Sequence, residues 1–393
     1  MIETTIRQYF VLTALSRFGV GFIMAIYTMY LMEKGLTLFE VNLVNCAYFA
    51  TLFICEIPTG AIADVFGRKM SYVLSCVLYG IGMLVYGISD SFFGFIAAEM
   101  ICAVGSTCAT GAFQGWFVSS LRHYGYTGRT TRLLSREHMI GQAASIAGAV
   151  MGPFLLGISA GLPWIVGGMI HLVAAVLSTY WMKEEYFTRG TLSLRDRLLK
   201  MKAVTRTSMR YVRSEQNFRF VICLGIAQLI AIKSPDMQWQ PFFSTAFGTP
   251  ALLGILWAGI IAASIAGAWL APCFLSLVHG NERWALVVAN IGIGVGIVAT
   301  ILFNLPFGLA AFLLHEAARG LWKPLKDSYL QDTMPDAERA TIASFESMFT
   351  HHLGGLLGLL LGGLLVKYTS IPTTWTVVSV VLIAATLTVA RKR

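Results

Sequence analysis

Apolar runs of about twenty residues follow one another along this chain almost without interruption, and any fold has to accommodate them. Such a run crosses a bilayer as a helix, because backbone N–H and C=O groups there must pair within the chain. Twelve runs are legible, with limits near 9–32, 38–60, 71–89, 92–118, 138–159, 162–182, 217–245, 249–276, 284–303, 305–325, 341–366 and 371–390. Charged residues make up 12% of the chain, where a soluble domain carries about 25%. The expected fold class is therefore an all-α membrane protein with twelve transmembrane helices. The first run is too long for a signal-peptide core and no small-residue cleavage site follows, so no signal peptide is expected. The seven cysteines stand in apolar segments without CxxC spacing, which predicts no disulfide, no metal and no cofactor.

The basic residues fix an orientation. With the N-terminus cytoplasmic, that face receives Arg68, Lys69, Arg122, Arg129, Arg132, Arg136, the run from Lys183 to Arg219, Arg283, Lys323, Lys326, Arg339 and the tail Arg391-Lys392-Arg393. The opposite face keeps Lys34 and Lys367. This positive-inside contrast predicts a multi-pass protein of the cell (inner) membrane with both termini cytoplasmic. It also accounts for the +9 net charge without nucleic acid.

Between the sixth and seventh runs the apolar content drops. Residues 184–216 read as a basic cytoplasmic linker, a solvated segment or an amphipathic helix on anionic lipid headgroups. The linker separates a six-helix bundle over 1–183 from another over 217–393. Glycine patterning suggests that the two repeat each other. The fifth run carries Gly141, Gly148, Gly152-Pro153 and Gly157; the eleventh, six helices on, carries Gly354-Gly355, Gly358 and Gly362-Gly363. Small residues at such spacing let helices approach closely.

One dense polar knot interrupts the first hundred residues: Gly60-Ala61-Ile62-Ala63-Asp64-Val65-Phe66-Gly67-Arg68-Lys69. Its two glycines suit a tight reversal between the second and third helices. Twelve spans, a long basic loop after the sixth and this Gly-x-x-x-Asp-x-x-Gly-Arg-Lys segment together resemble the major facilitator superfamily. Gly148-x-x-x-Gly152-Pro153 looks like the fifth-helix motif of its drug:proton antiporter branch, and Arg339–Ser344 resembles a loop common in bacterial efflux members. The resemblance implies two pseudo-symmetric six-helix bundles around a midplane cavity; no enzyme is expected, since the sequence offers no nucleophile–base pair, metal spacing or phosphate loop in a credible context. The resemblance also implies gating roles for Gly60, Asp64, Gly67, Arg68, Lys69, Gly148, Gly152 and Pro153. The chain departs from the family after Pro153, where two adjacent glycines are usual, and in three further places. Glu99 stands where the fourth-helix motif has arginine, Ser119-Ser120 replace an acid at the end of that helix, and the second-half copy of the loop, His279–Arg283, is degenerate. Arg68 must then find another partner, for which a helix C-terminus is expected.

Ionisable groups inside a membrane span are costly and call for a reason. Glu99 lies mid-helix with no base at i±3 or i±4, either as a hydrogen-bonded neutral carboxyl or as the proton-coupling group. Arg17 is a counter-charge for it, an anion-binding group, or an arginine snorkelling to the interface. Lys233-Ser234-Pro235-Asp236-Met237-Gln238-Trp239-Gln240-Pro241 breaks up the seventh run with two prolines. Lys233 and Asp236 either neutralise each other or, as preferred here, belong to a broken segment whose Gln238, Trp239 and Gln240 contact substrate. In the tenth run Glu316 and Arg319 read as an ion pair, with His315 or Glu316 a secondary proton site. By resemblance Tyr27, Tyr30, Gln114 and Trp116 line the cavity, those aromatics otherwise serving as core. The expected function is alternating-access transport, foremost proton-coupled export of a small amphipathic compound or drug by a monomer. Uptake of a metabolite, or a receptor or scaffold on the same fold, are the alternatives.

Overall fold

Helix is the only regular structure among the described residues of the computed structural model, which are 1–187, 215–249, 251–333, 346 and 348–391; the side chains of 57, 61, 64 and 331–333 are outside that set. The helices are α1 (Ile2–Met24), α2 (Tyr27–Glu33), α3 (Leu38–Phe66), α4 (Arg68–Ile88), α5 (Phe92–Ala109), α6 (Ala112–His123), α7 (Thr130–Ile158) and α8 (Leu162–Trp181). After the linker come α9 (Gln216–Phe247), α10 (Ala251–Leu277), α11 (Glu282–Leu302) and α12 (Leu305–Thr333). A π-helical turn (Met348–Leu353) then runs into α13 (Gly354–Tyr368), and α14 (Ile371–Arg391) follows.

Several boundaries differ from expectation. The first span is two helices, α1 and α2, bent by 49° at residues 25–26. The fourth breaks at Gly111, whose φ of +71° only glycine adopts freely, so it is α5 followed by α6. Conversely, α9 runs unbroken through Pro235 and Pro241, where a broken segment was expected. Each proline removes one i→i−4 bond, yet the turns on either side hold the helix together. Among the described residues ten spans are long and apolar enough to cross a membrane, eleven with the bent pair. The twelfth, α12, is a helix of 29 residues but carries Glu316, Arg319, Lys323, Lys326 and Asp327. Cap chemistry behaves as read: Thr37 and Glu40 form the reciprocal box that starts α3, at 2.8 and 3.3 Å.

The chain divides into two compact units. One comprises Met1–Lys34, Ala47–Lys202 and Thr249–Trp257; the other Gly35–Cys46, Ala203–Gly248 and Ala258–Arg393. The first is built on α1 against α7 and α8, and α4 against α5 and α8. The second is built on α9 against α13 and α14, and α11 against α12 and α14. Counted as spans, the pairings 1·5, 1·6, 3·4 and 3·6 recur as 7·11, 7·12, 9·10 and 9·12. The repeat legible in glycines is thus a repeat of packing.

Those glycines sit at the equivalent pairings. A Cβ on Gly148 would lie 2.9 Å from Cα of Gly21, and Gly152 faces the Phe22 carbonyl of α1. In the other unit, a Cβ on Gly358 would lie 2.8 Å from the Leu229 carbonyl oxygen and 2.9 Å from Cα of Ile230 on α9. Gly148→Val and Gly358→Val are therefore expected to cost similar amounts, about 1–3 kcal/mol each, by forcing the backbones apart. Thermal unfolding of the purified variants checks this; a shift in one variant alone counts against equivalence.

Candidate functional site

In the first unit the polar centre is Glu99 on α5. Its side chain is buried, and Oε1 accepts a hydrogen bond of 2.6 Å from the Tyr27 hydroxyl at the start of α2. The Tyr86 hydroxyl donates in turn to Tyr27 at 2.9 Å. Tyr48, Tyr79 and Cys102 complete the electrostatic surroundings. Tyr72, Tyr79 and Tyr86 recur every seven residues and so share one face of α4, a signal present in the sequence that composition alone conceals. No ion pair to Glu99 occurs among the described residues. Arg17 is exposed, and its acidic neighbour is Glu137 on α7, so the counter-charge reading of Arg17 fails on geometry.

The second unit joins four of its charges, from α9 and α12, into one network. Arg319 on α12 donates to Asp236 of α9 at 2.9 Å and to Glu316 at 2.7 Å. Lys233 binds the other oxygen of Asp236 at 3.1 Å. Two i,i+3 pairs, each legible separately, are joined across spans seven and ten into a neutral quartet. Sequence spacing cannot show that join. His315 is fully buried beside it, its Nδ1 donating to the Phe312 carbonyl at 2.9 Å. Gln238, Trp239 and Gln240 are buried too. Gln238 accepts from the Trp375 indole at 3.0 Å, which ties α9 to α14 and gives it a packing task.

The polar knot differs from the expected loop. α3 stays helical through Phe66, and the chain turns at Gly67 alone, with φ of +97°. Gly60 lies inside the helix and Lys69 in the first turn of α4. The side chain of Asp64 lies outside the described residues. The Arg68 guanidinium donates to the Gly115 carbonyl at 2.7 Å and to the Ser119 hydroxyl, the residue standing where an acid was expected. The carbonyl it uses lies in the body of α6 rather than at its last turn. An acid is nevertheless close: Glu184, just beyond α8, accepts from the Arg68 backbone N–H at 2.8 Å.

Of the aromatics expected in a cavity, Tyr30 is fully buried against Trp164 at 3.9 Å and donates to the Tyr86 carbonyl. Trp116 is buried, its indole donating to the Lys183 carbonyl at 2.9 Å. Both are core. Gln114 is exposed, and Tyr27 belongs to Glu99. Gly148, Gly152 and Pro153 are buried in α7, the two glycines against α1.

Known proteins agree with this architecture. An uncharacterised MFS-type transporter of Methanocaldococcus jannaschii is 23% identical over 58% of this chain and 57% of its own length. Multidrug resistance protein 2 of Bacillus subtilis is 22% identical over 88% of this chain and 85% of its own. The crystal structure of the nucleoside transporter NupG shares the fold, with a TM-score of 0.78 at 15% identity over 99% of this chain and 100% of that one. The model of the Major Facilitator Superfamily matches residues 9–278, more than half of the sequence. With twelve helical spans, the repeated packing and that match, the chain belongs to the Major Facilitator Superfamily of multi-pass membrane transporters.

Proposed function

We propose that this transporter exports a small amphipathic compound in exchange for protons by alternating access, with Glu99 as the proton-coupling group. The observation that carries this reading is a buried carboxyl held by phenols, with no base bonded to it among the described residues. Losing its proton there would leave an uncompensated charge, so release has to coincide with the arrival of water or a cationic substrate. The surrounding tyrosine faces suit a lipophilic cation, which gains cation–π attraction as the proton leaves. Asp236, Glu316 and His315 are assigned a secondary part in coupling; the two carboxylates are paired in this arrangement with Lys233 and Arg319, and His315 lies beside Glu316. The gate is assigned to Gly60, Asp64, Gly67, Arg68 and Lys69 on the face read as cytoplasmic from the basic-residue census. The likeness to Multidrug resistance protein 2 supports export. Protons, membrane lipids and one small molecule are the expected partners of a monomer with both termini inside.

Uptake of a polar metabolite is the second reading. It is favoured by the paired donors and acceptors of the Lys233–Asp236–Arg319–Glu316 quartet and by the fold shared with a nucleoside transporter. Reconstituted vesicles enclosing a pH-sensitive dye separate the two. Tetraphenylphosphonium added under an imposed pH gradient should draw a counter-flow of protons; proton movement with nucleosides and none with the cation would favour uptake.

A further inference from the structure

The acid missing from the end of span four has a replacement on another element. α4 starts at Gly67 with no side-chain cap of its own, so its first N–H groups need an acceptor. Glu184 supplies one: Oε1 takes the Arg68 N–H at 2.8 Å, and Oε2 occupies the space that a Cβ on Gly67 would enter. A carboxylate at a helix N-terminus is also favoured by the helix dipole. The segment carrying Glu184 is itself anchored. Trp116 of α6 holds the Lys183 carbonyl at 2.9 Å, Phe187 N–H closes a turn onto the Glu184 carbonyl at 3.0 Å, and Glu185 lies 3.8 Å from His123. Tyr186 joins the cluster; its phenol pKa is raised by burial first and by Glu184 second, with Arg68 opposing. Arg68 reaches the other way, onto α6, where Gly115 lets the guanidinium lie on the helix backbone. A Cβ there would stand 3.0 Å from Arg68 Cζ.

We propose that Glu184 is the positioning acid of the Gly67–Arg68 turn, so that the root of the interdomain linker, the start of α4 and the body of α6 are fastened as one assembly. The charge comes from the linker rather than from span four. Opening the turn then requires Glu184 to leave α4, which makes the first residues of the linker a moving part of the transport cycle. This goes beyond the coupling role of Glu99 and fails independently of it.

Hydrogen exchange and transport of the full-length protein in lipid vesicles test the idea, with tetraphenylphosphonium as the transported probe. Glu184→Ala should speed exchange at residues 68–71 and 183–187 about tenfold or more, leaving the helix interiors as they were. It should also slow both driven flux and equilibrium exchange about tenfold at unchanged affinity for the probe. Glu184→Gln, which keeps an acceptor oxygen without the charge, should fall between. Wild-type exchange at residues 68–71, uniform loss of protection across the unit, or wild-type turnover in Glu184→Ala would each overturn the proposal. Glu99→Gln, by contrast, should leave hydrogen exchange at residues 68–71 and 183–187 at the wild-type rate, so the two acids are told apart by that measurement.

Discussion

Glu99→Gln is expected to reduce proton-driven transport to the leak rate while leaving substrate exchange across equal pH within about threefold of wild type. The amide keeps the size of the carboxyl and its ability to accept the 2.6 Å bond from Tyr27, so the local packing is retained. Only the titration is lost. A bare ionised group at mid-membrane costs about 2.5–3.5 kcal/mol on insertion scales, enough to keep loaded and unloaded states distinct unless a cation or water replaces the proton. Tyr27→Phe provides a graded companion. It removes the bond donated to Glu99 and the one accepted from Tyr86, each worth about 1 kcal/mol, and should weaken driven transport without abolishing it. The measurement is flux in reconstituted vesicles with and without an imposed pH gradient. Driven flux at the wild-type rate in Glu99→Gln would falsify the assignment of the coupling proton to this site.

The fold was legible because its determinants are local. Apolar length marks each span, glycine spacing marks the close approach of spans one and five and of seven and eleven, and Thr37 and Glu40 mark a helix start. Each signal lies within one stretch of sequence. The site was legible only where its groups are neighbours in the chain, as with Glu316 and Arg319; the Lys233–Asp236 pair is the less favoured of two readings of that stretch. Joining those pairs through Arg319 and Asp236 depends on the relative rotation of two helices 83 residues apart, which no spacing encodes. Glu184 was missed for the same reason, 116 residues from Arg68. Its one hint is an acidic pair, Glu184-Glu185, opening an otherwise basic stretch. The prolines of α9 misled in the other direction. Proline lowers helix stability locally, but a span packed along its length against α13 and α14 tolerates two.

Arg319→Gln should be among the most destabilising single changes in the second unit. Arg319 is bonded to both Asp236 and Glu316, and the Glu316 side chain is 6% exposed. Removing the base leaves Glu316 without its bonded cation and Asp236 with Lys233 alone. Breaking a buried pair by deleting one partner costs about 3–5 kcal/mol, because the remaining charge stays desolvated. Arg319→Lys keeps the charge but not the planar donor set that reaches two carboxylates, so an intermediate loss is expected. The decisive variant is Arg319→Gln with Glu316→Gln. It removes one base and one acid, retains the Lys233–Asp236 pair, and should recover more than half of the loss although it carries two substitutions. Thermal or denaturant unfolding of wild type, Arg319→Gln, Glu316→Gln and the double variant gives the coupling energy directly. A double variant no more stable than Arg319→Gln would show that the guanidinium acts through packing rather than through charge balance. Recovery of stability without recovery of transport would place the quartet among the working parts of the cycle, because balance alone would then have been restored and function not.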